Sequence, residues 1–95
     1  MTVPMKPFAH TDKTLTRIGL GGEGILRTTG MNKPAEAVIH AAVDNGIPYF
    51  DSARVYMDSE IYYGRYWQSN PGKRQTVFQT SKSASRSKQG AARDL

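Results

Sequence analysis

The chain has 95 residues, of which 38% are hydrophobic, with 13 Lys and Arg against 8 Asp and Glu, a formal net charge of +5 and no Cys. The missing Cys exclude disulfides, thiolate catalysis and Cys-based zinc sites, and no apolar run approaches the roughly 20 residues of a membrane span. The opening Met1-Thr2-Val3-Pro4-Met5-Lys6-Pro7 has no hydrophobic signal core, so a cytoplasmic location is the default expectation.

The positive charge raises the question of nucleic acid, which basic patches bind by counterion release. The basic residues are dispersed, however, and only Lys73, Arg74, Lys82, Arg86, Lys88 and Arg93 form a local enrichment. No nucleic-acid partner is expected from that pattern. His10 and His40 stand too far apart in the sequence to suggest a metal pair, and no metal is expected.

In chain order, two short extended stretches flank the polar turn Thr11-Asp12-Lys13, which predicts a hairpin that covers one end of the domain. Leu15 to Leu20 is expected as a first buried strand. It runs into Gly21-Gly22-Glu23-Gly24, where the absent Cβ lets the backbone turn sharply or approach a ligand. The cluster lacks the spacing of a dinucleotide fingerprint, so a strand-ending turn and a phosphate cradle both stand. Next, Ala35, Val38, Ile39, Ala42 and Val43 repeat at the spacing of a core-facing helix stripe and predict a helix over Pro34 to Asn45. Asn32 is the expected N-cap, Pro34 suits the first turn and Gly46 the left-handed stop. His40 lies beside the stripe and reads as a partly exposed helix residue.

Ile47 to Phe50 follows the helix stop as a parallel strand reached by a right-handed crossover, which puts Asp51 at its C-terminal end. A second helix is expected from Asp58 or Ser59 through Trp67, then a loop Ser69-Asn70-Pro71-Gly72-Lys73. Thr76 to Thr80 reads as the third strand, Ser81 to Ser87 as a polar loop, and Gln89 to Leu95 as the start of a third helix. The order is hairpin, β, α, β, α, β and the beginning of an α, an α/β pattern with no linker between domains. Closing such an alternation into a barrel takes about 250 residues. The chain is short for that pattern, and its three parallel strands are expected to leave an open pairing edge and exposed apolar surface.

Neighbouring parallel strands lie roughly 4.8 Å apart, so Asp51 and Lys82, at the ends of two of them, are within reach of each other, and Tyr56 can fold in from the intervening loop. A carboxylate, an amine and a phenol so placed make a proton-transfer site. Singly, Asp51 reads as a loop carboxylate, Tyr56 as a packing aromatic and Lys82 as a solvated lysine. Their joint arrival at strand ends is what argues for a site.

Three segments also carry a family resemblance: Arg17-Ile18-Gly19-Leu20-Gly21-Gly22-Glu23-Gly24, Phe50-Asp51-Ser52-Ala53 with Tyr56, Ser59, Glu60 and Gly64, and Val77-Phe78-Gln79-Thr80-Ser81-Lys82. In order and spacing the chain resembles the N-terminal third of an aldo-keto reductase. The resemblance implies that residues 1–95 are the N-terminal fragment of one barrel domain, a (β/α)8 barrel that reduces the carbonyl of a small-molecule aldehyde or ketone with NADPH, or NADH, at the C-terminal ends of its strands. It further implies that Tyr56 is the proton donor, Lys82 the residue that lowers the Tyr56 pKa, and Asp51 the partner of Lys82 on the cofactor side. Gly21, Gly22 and Glu23 match the cofactor-side loop after the first barrel strand, with Gly22 where many relatives carry Thr.

Elementary chemistry supports the same residue types. Hydride delivery builds negative charge on the carbonyl oxygen, which a donor must then protonate or hydrogen-bond. An ordinary Tyr titrates near 10, and a Lys cation about 4 Å away contributes on the order of 4 kcal/mol at an effective dielectric of 20. The resemblance also calls for a His after a fourth strand, a place that neither His10 nor His40 can take. The 95-residue chain is thus expected to bind cofactor weakly or not at all and to turn over negligibly by itself. Two other classes remain at this stage: a non-catalytic interaction module built on part of a barrel, and a basic nucleic-acid binder.

Overall fold

In the computed structural model, which describes residues 2–95, strands β1 (Met5–Pro7) and β2 (Thr14–Thr16) pair antiparallel, with Lys6 opposite Leu15. Their connection closes on itself through the Thr11 hydroxyl, which donates to Phe8 O at 2.6 Å. The expected hairpin is therefore present. The expected first buried strand over Leu15 to Leu20 is not a single element, and this is a correction. Its first half belongs to the hairpin, which continues through Arg17 N–H to Pro4 O at 2.9 Å, and Ile18 is exposed. Only Leu20 joins the parallel set, as a single bridge to Phe50, accepting from Asp51 N–H and donating to Tyr49 O, both at 2.9 Å. The chain turns between the two halves, where the Thr16 hydroxyl donates to Ile18 O.

A 3-10 turn over Gly24–Leu26 seats Leu26 in the core and leads to α1 (Asn32–Asp44). The apolar stripe of α1 faces inward as its spacing predicts, with Ala35 and Ile39 fully buried and Ala42 nearly so. Asn32, expected as the cap, is instead the first helical residue after Met31; Met31 N–H is taken by the Tyr62 hydroxyl at 2.9 Å. At the other end Gly46 is left-handed (φ 72°), Gly46 N–H bonds Val43 O and Ile47 N–H bonds Ala42 O. These two bonds satisfy the last carbonyls and turn the chain into the next strand. His40 is exposed, its Nδ1 3.2 Å from the Tyr66 hydroxyl.

Strand β3 (Tyr49–Asp51) and strand β4 (Phe78–Thr80) pair in parallel, Tyr49 beside Phe78, Phe50 beside Gln79 and Asp51 beside Thr80. Between them run α2 (Ser59–Ser69) and a short α3 (Pro71–Arg74). The stretch expected as a loop thus gains one helical turn, begun by Pro71, whose ring presets the helical φ. Helix α4 (Lys88–Asp94) ends the described chain, its first turn capped by the Ser87 hydroxyl accepting from Gly90 N–H at 3.0 Å. No helix among the described residues is long and apolar enough to cross a membrane.

Side chains alternate across β3. Phe50, fully buried, faces the helices and stacks on Tyr63 and Trp67, each with centroids 5.7 Å away. Around it Leu26, Ala35, Ile39, Tyr62 and Tyr66 complete the core. On the opposite face Tyr49 and Phe78 meet edge to face at 5.9 Å, and Phe8 of the hairpin packs on both. Tyr49 and Phe78 begin their strands, so the hairpin covers the N-terminal ends and leaves the C-terminal ends open.

Candidate functional site

At those C-terminal ends pairing persists past the strands: Ser52 N–H donates to Thr80 O at 3.0 Å and Arg54 N–H to Lys82 O at 2.9 Å. The register carries Asp51 and Lys82 onto one rim. Lys82 Nζ donates to both carboxylate oxygens of Asp51 at 2.7 Å. The Thr80 hydroxyl lies 3.0 Å from Asp51 Oδ1 and 3.2 Å from Phe50 O. Asp51 is thereby held by an ammonium and a hydroxyl, both carried by residues at or just beyond the end of β4. The hydrogen bond to Asp51 holds Lys82 above its ordinary pKa of 10.5; partial burial works against the shift, and the Asp51 charge and Tyr56 add to it. Lys82 is accordingly a fixed cation at neutral pH.

Tyr56 comes in from the loop after β3. Two turn bonds shape that loop, Tyr56 N–H to Ala53 O at 3.0 Å and Ser59 N–H to Tyr56 O at 2.9 Å, and Met57 takes the left-handed conformation (φ 49°). This reversal returns the half-buried Tyr56 ring to the rim, where Lys82 Nζ is 5.0 Å and the Arg27 guanidinium carbon 4.9 Å from its centroid. The three residues singled out from the sequence, Asp51, Tyr56 and Lys82, are therefore brought together.

The glycine loop divides in two. Gly22 is buried against the rim: a Cβ there would stand 2.5 Å from Asp51 O, 2.8 Å from Ser52 Cα and 2.9 Å from Ser59 Oγ. Close backbone approach, not a left-handed angle, is why this position is Gly. Gly21 is exposed with open space beside it, and a cavity of about 210 Å3 lies there, lined by Gly19, Leu20, Gly21, Tyr49 and Asp51. Glu23 is exposed and its Oε1 meets Arg27 Nη1 at 3.2 Å. A larger concavity of about 520 Å3 sits at the hairpin end beside Phe8 and Tyr49. No carboxylate lines it, whereas Asp51 stands in the wall of the smaller cavity.

The sequence reading assigned no supporting role to several residues that the structure places around the rim. Ser52 and Ser59, both buried, share a hydroxyl bond of 2.9 Å that ties the end of β3 to the start of α2. The Tyr63 hydroxyl donates to Asp51 O at 3.4 Å, and burial first, then the Asp51 charge, pushes it far above its ordinary pKa. Thr80 and Arg27 touch Asp51 and Tyr56 directly. Glu23 and Arg27 are four residues apart, but in a stretch read as a turn that spacing carries no pairing signal; most of the other contacts join segments distant in the chain.

The description "Aldo/keto reductase family" matches residues 17–94. The chain belongs to the aldo/keto reductase family. No curated protein matches it. Aldo/keto reductases are oxidoreductases that generally use nicotinamide cofactors. The 210 Å3 cavity has an open backbone position at Gly21 and the Asp51 carboxylate toward the rim, with Tyr49 on its hairpin side, a lining whose chemistry fits a flat polar ring.

Proposed function

We propose that this aldo/keto reductase chain supplies the proton-transfer side of a carbonyl-reducing site, built on the first strand and helix units of a (β/α)8 barrel and working with NADPH or NADH on small aldehydes or ketones. The observation that carries the reading is the two-point grip of Asp51 on Lys82, 2.7 Å to each oxygen, beside the Tyr56 ring. Tyr56 holds the phenolic proton and releases it to the carbonyl oxygen as negative charge grows there. Lys82 keeps a positive charge beside the phenol and so favours that release. Asp51 orients Lys82, and Thr80 keeps Asp51 from turning away. Gly21, Tyr49 and Asp51 would hold the nicotinamide ring, which when bound supplies the hydride to the carbonyl carbon. The residues of this chain bind, orient and move the proton.

The test is a chimaera in which residues 17–94 replace the matching segment of an active family member. It is expected to reduce a reactive aldehyde with loss of reduced-nicotinamide absorbance. Tyr56→Phe should lower kcat by about 100-fold to 10,000-fold, the usual contribution of a general acid, and Lys82→Met should fall in the same range. An active chimaera indifferent to Tyr56→Phe overturns the reading.

A further inference from the structure

We propose that Arg27 is a positioning residue for Tyr56: clamped by Glu23, it holds the phenol ring toward Lys82. The proposal rests on the proton-donor reading of Tyr56, to which it adds a second supporting element. Tyr56 sits on a loop whose flanking residues Val55 and Met57 are 52% and 63% exposed, so the backbone around it offers little packing to select one ring orientation. Lys82 touches one part of the ring but is committed to Asp51. Arg27, which follows the glycine loop and is far from Tyr56 in sequence, also lies over the ring, its guanidinium carbon 4.9 Å from the centroid.

Arg27 is well placed to restrain a ring because its own backbone is anchored on both sides. Leu26 before it is fully buried in the core. Thr28 after it accepts Asp58 N–H at 3.0 Å through its carbonyl, and its hydroxyl bonds Ile25 O at 2.7 Å and lies 2.9 Å from the Tyr62 hydroxyl. These bonds fix the Arg27 backbone relative to the start of α2, the same element into which the Tyr56 loop runs. The Glu23 carboxylate then limits where the guanidinium can lie. A planar guanidinium over an aromatic face is both attracted by the ring and matched to it in shape. A solvated surface pair of Glu23 and Arg27 with no effect on Tyr56 is the competing account.

Proton NMR of the full chain separates the two. The Tyr56 ring imposes a ring-current shift on the Lys82 ε-methylene, identified by its loss in Tyr56→Leu. In Arg27→Met this shift is expected to fall by half or more while the Leu26 and Phe50 resonances stay in place. Arg27→Lys should keep part of it, and Glu23→Gln should lose less than Arg27→Met. A Lys82 shift unchanged in Arg27→Met overturns the proposal, as does the absence of any Tyr56-dependent shift in the parent chain. If Arg27→Met disturbs the core resonances, Glu23→Gln decides: a reduced shift supports the clamp and an unchanged one refutes it. Because the readout needs no turnover, an inactive chimaera and a failed clamp are separate results.

Discussion

Gly21 and Gly22 are adjacent and chemically identical, yet the fold asks different things of them. Added Cβ atoms would find open space at Gly21 but backbone and a buried hydroxyl within 3 Å at Gly22. Gly22→Ala is therefore expected to cost roughly 1–3 kcal/mol, the range for forcing extra atoms into a packed site, while Gly21→Ala stays within about 0.5 kcal/mol. Urea unfolding of the two variants measures both, and equal losses would contradict the close approach. The sequence showed that a Gly cluster stood after a strand; it contained no sign of which Gly touched what. Asp51, Tyr56 and Lys82 were legible for a different reason. Asp51 and Lys82 stand at or just beyond the ends of predicted strands, so topology brings them to one rim, and Tyr56 lies in the loop between them, which must reverse to return its ring there.

Elements were read best where a repeating pattern agreed with its end signals. Helix α1 shows this: stripe, Pro34 and Gly46 all point to one helix, and the helix is there within two residues at each end. The stretch from Leu15 to Leu20 failed because its apolar residues suit two partners, and the hairpin took the first of them. Periodicity reports which face is apolar, not which strand will claim the backbone. Strand β3 is only three residues long, so its stability comes from packing, above all Phe50 between Tyr63 and Trp67. Phe50→Ala is expected to destabilise the chain by about 3–5 kcal/mol, enough to remove cooperative unfolding from a domain of this size. Circular dichroism during urea titration is the check, and a cooperative transition kept near its parent midpoint would deny Phe50 that role.

At the scale of the whole molecule, the site and the stability of the fold share groups. Tyr63 ionises far less readily when folded than at its ordinary value of 10.0, and Lys82 keeps its proton beyond 10.5. For both groups the folded pKa exceeds the unfolded one. Their contributions are complete below pH of about 10 and decline as pH rises through the folded values. Tyr63→Phe is thus expected to keep the fold to higher pH than the parent. Lys82→Met should be less stable than the parent at pH of about 8 and approach it in strong alkali, where the parent lysine is also neutral. Urea midpoints across the alkaline range test both, and parallel curves for all three proteins would break the link.

The sequence by itself determined the α/β alternation, the main helix, the polar and apolar faces, and the identity of Asp51, Tyr56 and Lys82 as a group. These follow from local rules: periodicity, caps, and where a strand must end. Only the tertiary structure decided that Gly22 lies on Asp51 and Ser52, that Thr80 steadies the carboxylate, that Tyr63 backs the strand end, and that Arg27 reaches Tyr56. Each of these contacts joins segments distant in the chain, and which side chains meet across such a distance is set by register and packing together, neither of which a local pattern encodes.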